Sequence, residues 1–116
     1  MKRILGLGII LMMLSLTAAN SQLFKTSLTL TVRDELGNTV DGVSVKLFAN
    51  IADYTKEVNP VAEGTTDAKG IVKFKDLRPV VYFVLAKKGD KDNAGGGEQI
   101  NKLDEGKFNK STVVIQ

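Results

Sequence analysis

Beyond residue 26 the chain alternates apolar and polar positions in short runs. Leu28, Leu30 and Val32 alternate with Ser27, Thr29, Thr31 and Arg33, the period of a strand with one buried face. The run stops at Asp34-Glu35-Leu36-Gly37-Asn38, where Gly37 can take a positive φ and Asn38 tolerates one, so the chain turns. After a second break at Asp41-Gly42, the apolar Val43, Val45 and Leu47 alternate with Ser44, Lys46 and Phe48 as a second strand. Residues 50–60 lose the alternation and turn polar, with Tyr54 as their only aromatic. They read as a surface loop in preference to a single turn of helix. Residues 61–66 form a weaker strand, closed by the turn Asp67-Ala68-Lys69-Gly70, and Val72 and Phe74 then alternate with Lys73 and Lys75.

Leu77 and Pro79 mark a corner before the most continuous apolar run, residues 80–86. Tyr82 and Val84 lie on one side of that run, with Val81, Phe83 and Leu85 on the other, which predicts a central strand covered on both faces. Residues 87–97 read KKGDKDNAGGG and predict an exposed loop. A short strand at residues 99–103, a return over residues 104–110 and a last strand carrying Val113 and Ile115 complete the chain. No segment after residue 21 repeats apolar residues at i, i+3 and i+4 over a helix-forming length. Short strands separated by Gly and Asp turns every ~8 to 12 residues predict an all-β fold, a single antiparallel β-sandwich of six to seven strands.

The first 21 residues follow a different rule. Lys2 and Arg3 precede an uncharged apolar run over residues 4–14, followed by the small residues of Ser15-Leu16-Thr17-Ala18-Ala19-Asn20-Ser21. This is the layout of a secretory signal peptide, and the run is shorter than the ~20 residues of a membrane-spanning helix. Two cleavage positions place small side chains correctly. One uses Thr17 and Ala19; the preferred one uses Ala19 and Ser21 and leaves Gln22 first. The expected organisation is residues 1–21 as signal peptide and residues 22–116 as one domain, exported to the periplasm, the cell surface or the medium, with no stable membrane span after cleavage.

Composition then narrows the chemistry. The chain of 116 residues carries 16 Lys and Arg against 13 Asp and Glu, for a net charge of +3, and has no His, Cys or Trp. Loss of Lys2 and Arg3 with the signal leaves a domain of about 95 residues near +1, whose basic residues are scattered among acids. That distribution argues against nucleic acid, because a phosphate-binding surface needs a clustered excess of Lys and Arg. Without imidazole or thiol there is no Ser-His-Asp relay, no thiolate nucleophile and none of the usual zinc sites. No cofactor is implied. The three Met also lie in the leading segment, so the domain offers oxidants little and must hold together without disulfides.

In order, the segments LTLTVRDELGNTV, DGVSVKLF, TTDAKGIVKFKDLRP and VYFVLAKKG resemble the carboxypeptidase-regulatory-like, or transthyretin-like (prealbumin-like), β-sandwich domains of small stand-alone exported bacterial proteins. The resemblance covers residues 28–89 and rests on turn and core residues, so it implies a fold more than an activity. Collagen-adhesin B-type repeats, which look similar, form a Lys-to-Asn isopeptide bond beside a buried acid. The positions matching their lysine and acid hold Val32 and Ala86, so the resemblance implies no self-crosslink here. The transthyretin-like hydrolases use histidines and a C-terminal motif, whereas this chain has no His and ends STVVIQ. Metallocarboxypeptidases carry such a domain beside a zinc domain that has no room in this chain.

Candidate contacts lie in the loops. Asp34, Glu35, Asn38 and Asp41 cluster at the first turn, but they lack the D-x-D-x-D-G spacing of a calcium loop and read as turn residues bonding their own backbone. Asp90, Asp92 and Asn93 in the later loop, with Lys88, form a second polar group able to meet a partner or a cation. Gly95, Gly96 and Gly97 lack the strand-Gly-helix context of a phosphate cradle. Lys73, Lys75, Lys87 and Lys88 would make a basic edge if neighbouring strands brought them together, or stand as solvated sheet lysines. Tyr54 is either an exposed contact residue or an anchor beneath its loop.

The reading is therefore a non-enzymatic exported module with a structural or protein-binding role in the bacterial envelope, its partner an envelope or surface protein. A carbohydrate-binding module using exposed loops, with a glycan as partner, is the alternative, and a hydrolase using carboxylates or lysine the least favoured. N-terminal sequencing of the exported protein should begin at Gln22; a start at Asn20 would select the other cut, and a start at Met1 would overturn cleavage.

Overall fold

The computed structural model describes residues 25–116; the expected signal peptide and its cleavage position lie outside them. The described chain folds into two packed sheets. Strands β1 (Ser27–Asp34), β4 (Ile71–Phe74) and β8 (Phe108–Ile115) form one, in the order β4-β1-β8. Strands β2 (Ser44–Phe48), β3 (Ala62–Thr65), β5 (Tyr82–Lys88) and β6 (Lys91–Asp92) form the other, in the order β3-β2-β5-β6, with β7 (Gln99–Ile100) also on β5. Six strands have four residues or more, and β6 and β7 have two each. The expected all-β sandwich is what forms.

One pairing departs from the antiparallel expectation. β1 and β8 run parallel in unbroken register, from Ser27 beside Phe108 to Asp34 beside Ile115, while the other strand pairs are antiparallel. Parallel neighbours cannot be joined by a hairpin, so local turn signals contain no trace of this contact. It is made between the first and last strands, with all the others between them in sequence.

Period two does the rest. Leu28, Leu30 and Val32 of β1 turn inward with Val72 and Phe74 of β4 and Val113 and Ile115 of β8. They meet Val43, Val45 and Leu47, followed by Tyr82, Val84 and Ala86 of β5, with Ile100 and Leu103 closing one side. Removal of this apolar area from water drives the two sheets together, and close packing sets the register. Every buried side-chain nitrogen and oxygen among the described residues has a hydrogen-bond partner. Thr66 is one example: its hydroxyl accepts from the Val43 amide at 2.9 Å and donates to the Val40 carbonyl at 2.8 Å, pinning the entry of β2 to the end of β3.

Two segments differ from their sequence pattern. Residues 51–56 form a short helix, α1 (Ile51–Lys56), where a loop was expected. Asn50 caps it by accepting from the Asp53 amide at 2.8 Å, and Glu57 ends it in the left-handed region. Residues 87–97, expected as an exposed loop, instead contain the end of β5, all of β6 and the buried Asn93. In the same segment, Gly96 lies so close to β8 that a β-carbon would overlap the Val114 carbonyl oxygen.

Gly70 carries the tightest test of the turn chemistry. Its φ is +75°, and a β-carbon there would come within 2.8 Å of the Thr39 β-carbon and 3.0 Å of the Val32 oxygen. Its carbonyl also accepts from the Val32 amide at 2.8 Å, joining the turn to β1. Gly70→Ala should therefore cost about 2–3 kcal/mol, combining left-handed strain with a clash against backbone. At Gly89, where φ is +61° and nothing lies within 4 Å of the place a β-carbon would take, the cost should be nearer ~1 kcal/mol. Urea denaturation of both variants measures the difference, and equal losses would contradict the close approach at Gly70.

Candidate interaction surfaces

The later loop and the first turn meet at one end of the sandwich. Lys88, at the end of β5, donates from Nζ to the Asp41 carbonyl at 2.7 Å and lies 3.4 Å from its carboxylate. Lys88 is about half exposed and Asp41 more so, so the pair orients the end of the sandwich and contributes little stability. Lys88, Asp90 and Lys91 line a shallow depression of about 350 Å³ with Asp34, Val40 and Ile115. The Asp34 carboxylate is occupied by its own turn, accepting from the Leu36 and Asn38 amides at 3.0 and 2.9 Å. The Asn38 amide bond in particular holds its pKa below the usual carboxylate range. Asp67 behaves alike, with the Ile71 and Lys69 amides lowering its pKa. Such groups contribute stability above the ordinary carboxylate pKa and lose it as pH falls through their lowered values.

Of the expected loop contacts, Asp90 is exposed beside Lys88, but Asp92 and Asn93 serve the fold. Asp92 lies in β6, exchanges backbone bonds with Gln116 and accepts from the Ala94 amide at 2.9 Å. Asn93 is fully buried, which removes it from any contact surface. The reason is visible on β5, whose edge pairs with β6 at Lys87 and Lys88 and with β7 at Tyr82 and Phe83. Between them, Asn93 Oδ1 accepts from the Ala86 amide and Nδ2 donates to the Val84 and Gly97 carbonyls, each at 2.9 Å. The side-chain amide stands in for a missing peptide group in the ladder. Among the described residues no three His, Cys, Asp or Glu side chains group as metal ligands.

Tyr54 is an anchor. Carried by α1, its ring meets Phe48 edge-on at 5.9 Å between centroids and Phe83 at 6.1 Å. Its hydroxyl donates to Glu98 Oε1 at 3.0 Å. Partial burial and the Glu98 carboxylate favour the neutral phenol, pushing its pKa up to about 12. The helix thus covers the outer side of β5, which accounts for the apolar Phe83 and Leu85 on the face opposite the core.

The lysines do not form one edge. Lys87 and Lys88 belong to β5, where Lys87 Nζ bonds Glu57 Oε1 at 2.9 Å, while Lys73 lies in β4 of the opposite sheet and Lys75 just beyond its end. There Lys73, Thr29 and Lys110 share a row across β4, β1 and β8, with Ser27 and Phe108 in the next. The Phe108 side belongs to a depression of about 440 Å³ lined also by Lys25, Ser27, Thr29, Lys73, Lys75 and Asp76. Phe108 is 82% exposed, unlike Phe74 in the core and Phe48 buried beneath α1. In the sequence pattern Phe108 falls within a connecting segment. Counting back in twos from the inward Val113 places even-numbered residues outside, which is the signal that identifies it.

No protein-family model and no curated protein matches this chain. Solved structures do. The Bacillus anthracis TIE protein aligns over 78% of this chain at 19% identity and a TM-score of 0.53. The pilus 2b backbone protein of group B streptococcus aligns over 78% at 17% identity and 0.50, and BcpA, the major pilin subunit of Bacillus cereus, over 79% at 17% and 0.53. The matched parts are 16%, 40% and 30% of those chains, so the likeness is to a domain within a longer protein. At these identities the shared property is the fold.

Asn93→Ala should destabilise the domain by about 3 kcal/mol, because it leaves the buried Ala86 amide and Val84 carbonyl without partners. Asp90→Ala should leave stability within about 0.5 kcal/mol. Thermal and urea unfolding of the two variants test the contrast. Comparable losses, or none from Asn93→Ala, would remove Asn93 from the ladder.

Proposed function

We propose that the protein is an exported, non-catalytic β-sandwich module that acts structurally or by binding an envelope or surface protein. The observation that supports it most is the fold, which it shares with domains of a pilus backbone protein and a major pilin subunit. The residue inventory agrees, since neither imidazole nor thiol is available for the common hydrolytic mechanisms. Residues 1–21 act as the export signal in this reading, and residues 22–116 as the working domain, of the carboxypeptidase-regulatory-like, prealbumin-like kind. Among the described residues no helix is long and apolar enough to cross a membrane.

The module holds by packing and hydrogen bonding. Val32 and Ala86 are fully buried apolar residues in the core, so those positions can form no isopeptide bond. Carbohydrate binding through Tyr54 loses its support, because that ring is packed and its hydroxyl engaged. Lys88 and Asp90 remain as the polar contact group at the loop end.

Chemical cross-linking of a C-terminally tagged protein in growing cells, followed by fractionation, tests the proposal. The expected result is recovery in the envelope or surface fraction with a discrete adduct to another envelope protein. Recovery in the cytoplasm, or an envelope fraction with no adduct at any cross-linker length, would overturn it.

A further inference from the structure

We infer that the outer face of the three-stranded sheet binds an anionic polysaccharide, with Phe108 stacked on a sugar ring and Lys73, Lys75 and Lys110 beside its acidic groups. This goes beyond a protein-binding role and uses a different face from the Lys88–Asp90 end. It rests on the export reading only in that an exported chain would meet such polymers.

Three independent features converge on this face. The first is the ring. Phe108 is 82% exposed on a regular strand, at a position whose inward neighbours supply the core, so no packing requirement explains an aromatic there. An exposed phenyl ring gives up favourable burial, and its flat apolar face matches the C–H face of a pyranose.

The second is charge. The described residues form three ion pairs, Lys46–Glu63, Lys87–Glu57 and Lys88–Asp41, and none involves Lys25, Lys73, Lys75 or Lys110. Asp76 is the one acid lining the depression, against Lys25, Lys73 and Lys75. Lys73 and Lys110 flank Thr29 in one row, so with strands ~4.8 Å apart their α-carbons stand roughly 10 Å from each other. A single anionic chain crossing the sheet passes both.

The third is shape and polarity. The depression of about 440 Å³ lies on the face of the sheet, with the hydroxyls of Ser27 and Thr29 beside the ring and the lysines. Its size falls within the ~300–1,000 Å³ of small-ligand clefts. Hydroxyl and ammonium donors around one aromatic ring suit a hydroxylated, acidic ligand. An extended acidic peptide would seek the strand edge, where backbone bonds are available, and a lipid surface would seek an apolar protrusion. The depression lies on the face of the sheet, and its one exposed ring stands among lysines and hydroxyls with no other large apolar side chain lining it.

Affinity electrophoresis of the purified protein in gels containing polygalacturonate, dextran sulfate or uncharged dextran tests the assignment, with poly-glutamate as an acidic polypeptide and anionic vesicles in a parallel sedimentation assay. Retardation is expected with a polyanionic glycan and absent with dextran; polygalacturonate and dextran sulfate separate carboxylate from sulfate preference. The double variant Lys73→Ala/Lys110→Ala should weaken binding about tenfold or more, and added salt should weaken it in the parent protein. Phe108→Ala should weaken binding about fivefold while preserving most of its salt dependence, with unchanged thermal stability because the ring is exposed. Lys46→Ala and Lys87→Ala on the other sheet should leave binding unchanged.

No retardation by either polyanionic glycan would overturn the inference. So would full binding by Phe108→Ala, which would reduce the effect to ion exchange, or equal losses from the control lysines. Tighter retention by poly-glutamate, or preferential sedimentation with vesicles, would assign the face to an acidic protein or a lipid surface instead. These outcomes are read on the purified protein, so they are independent of whether cross-linking in cells finds an envelope partner.

Discussion

The parallel register of β1 with β8 is the contact on which the rest of the molecule depends. It runs the whole length of both strands and joins the two ends of the described chain. Through it, Val113 and Ile115 enter a core otherwise made from earlier strands, and β1 becomes the centre of its sheet instead of an edge. The same register brings Phe108 beside Ser27 and Lys110 beside Thr29, so the meeting of ring and lysines on that face is a consequence of the pairing. With no cysteine to link the ends, side-chain packing and the ladder carry the closure.

The second sheet solves a different problem. β5 has one continuous neighbour, β2, beside Phe83 to Lys87, and only fragments of strand on its other edge. Unpaired buried peptide groups there would cost on the order of 1–3 kcal/mol each. The Asn93 side chain fills the gap between β6 and β7, while the Gly96 and Asp92 backbones reach across to Val114 and Gln116. A short polar segment therefore ties the last strand of one sheet to the open edge of the other. This is why a stretch of Lys, Asp, Asn and Gly behaves as structure and not as a free loop.

The outer faces of the two sheets have diverged in consequence. One is covered by α1, whose Tyr54 packs on Phe48 and Phe83 and bonds Glu98, and Lys87 beside it is paired with Glu57. The other has no helix over it among the described residues and exposes a phenyl ring among lysines without ion pairs. A scaffold of this kind can use one side for cohesion and the other for contact. The side chains gathered on that exposed face are hydroxyls, ammonium groups, one carboxylate and one aromatic ring.

The alternation of Leu28, Leu30 and Val32, of Val43, Val45 and Leu47, and of Val72 and Phe74 was enough to determine an all-β sandwich and its inward faces. Period two is a local property of a strand with one side in water. The turn roles of Asp34, Asp67 and Gly70 were legible for the same reason, since an Asx turn or a positive φ involves only near neighbours. Residues whose roles depend on distant partners were not legible: Asn93 was expected in a contact loop, and Tyr54 was left open between an exposed contact and an anchor. Asn93 carries no local sign that it completes a ladder between Val84 and Ala86, and Tyr54 none that two phenylalanines lie beneath it. Composition by itself determined the available chemistry and the strand pattern determined the fold class. Tertiary structure decided which strands lie side by side, and hence where Phe108 and the lysines meet, because strand pairing across the sequence is a global compromise of packing and hydrogen bonding that no local window contains.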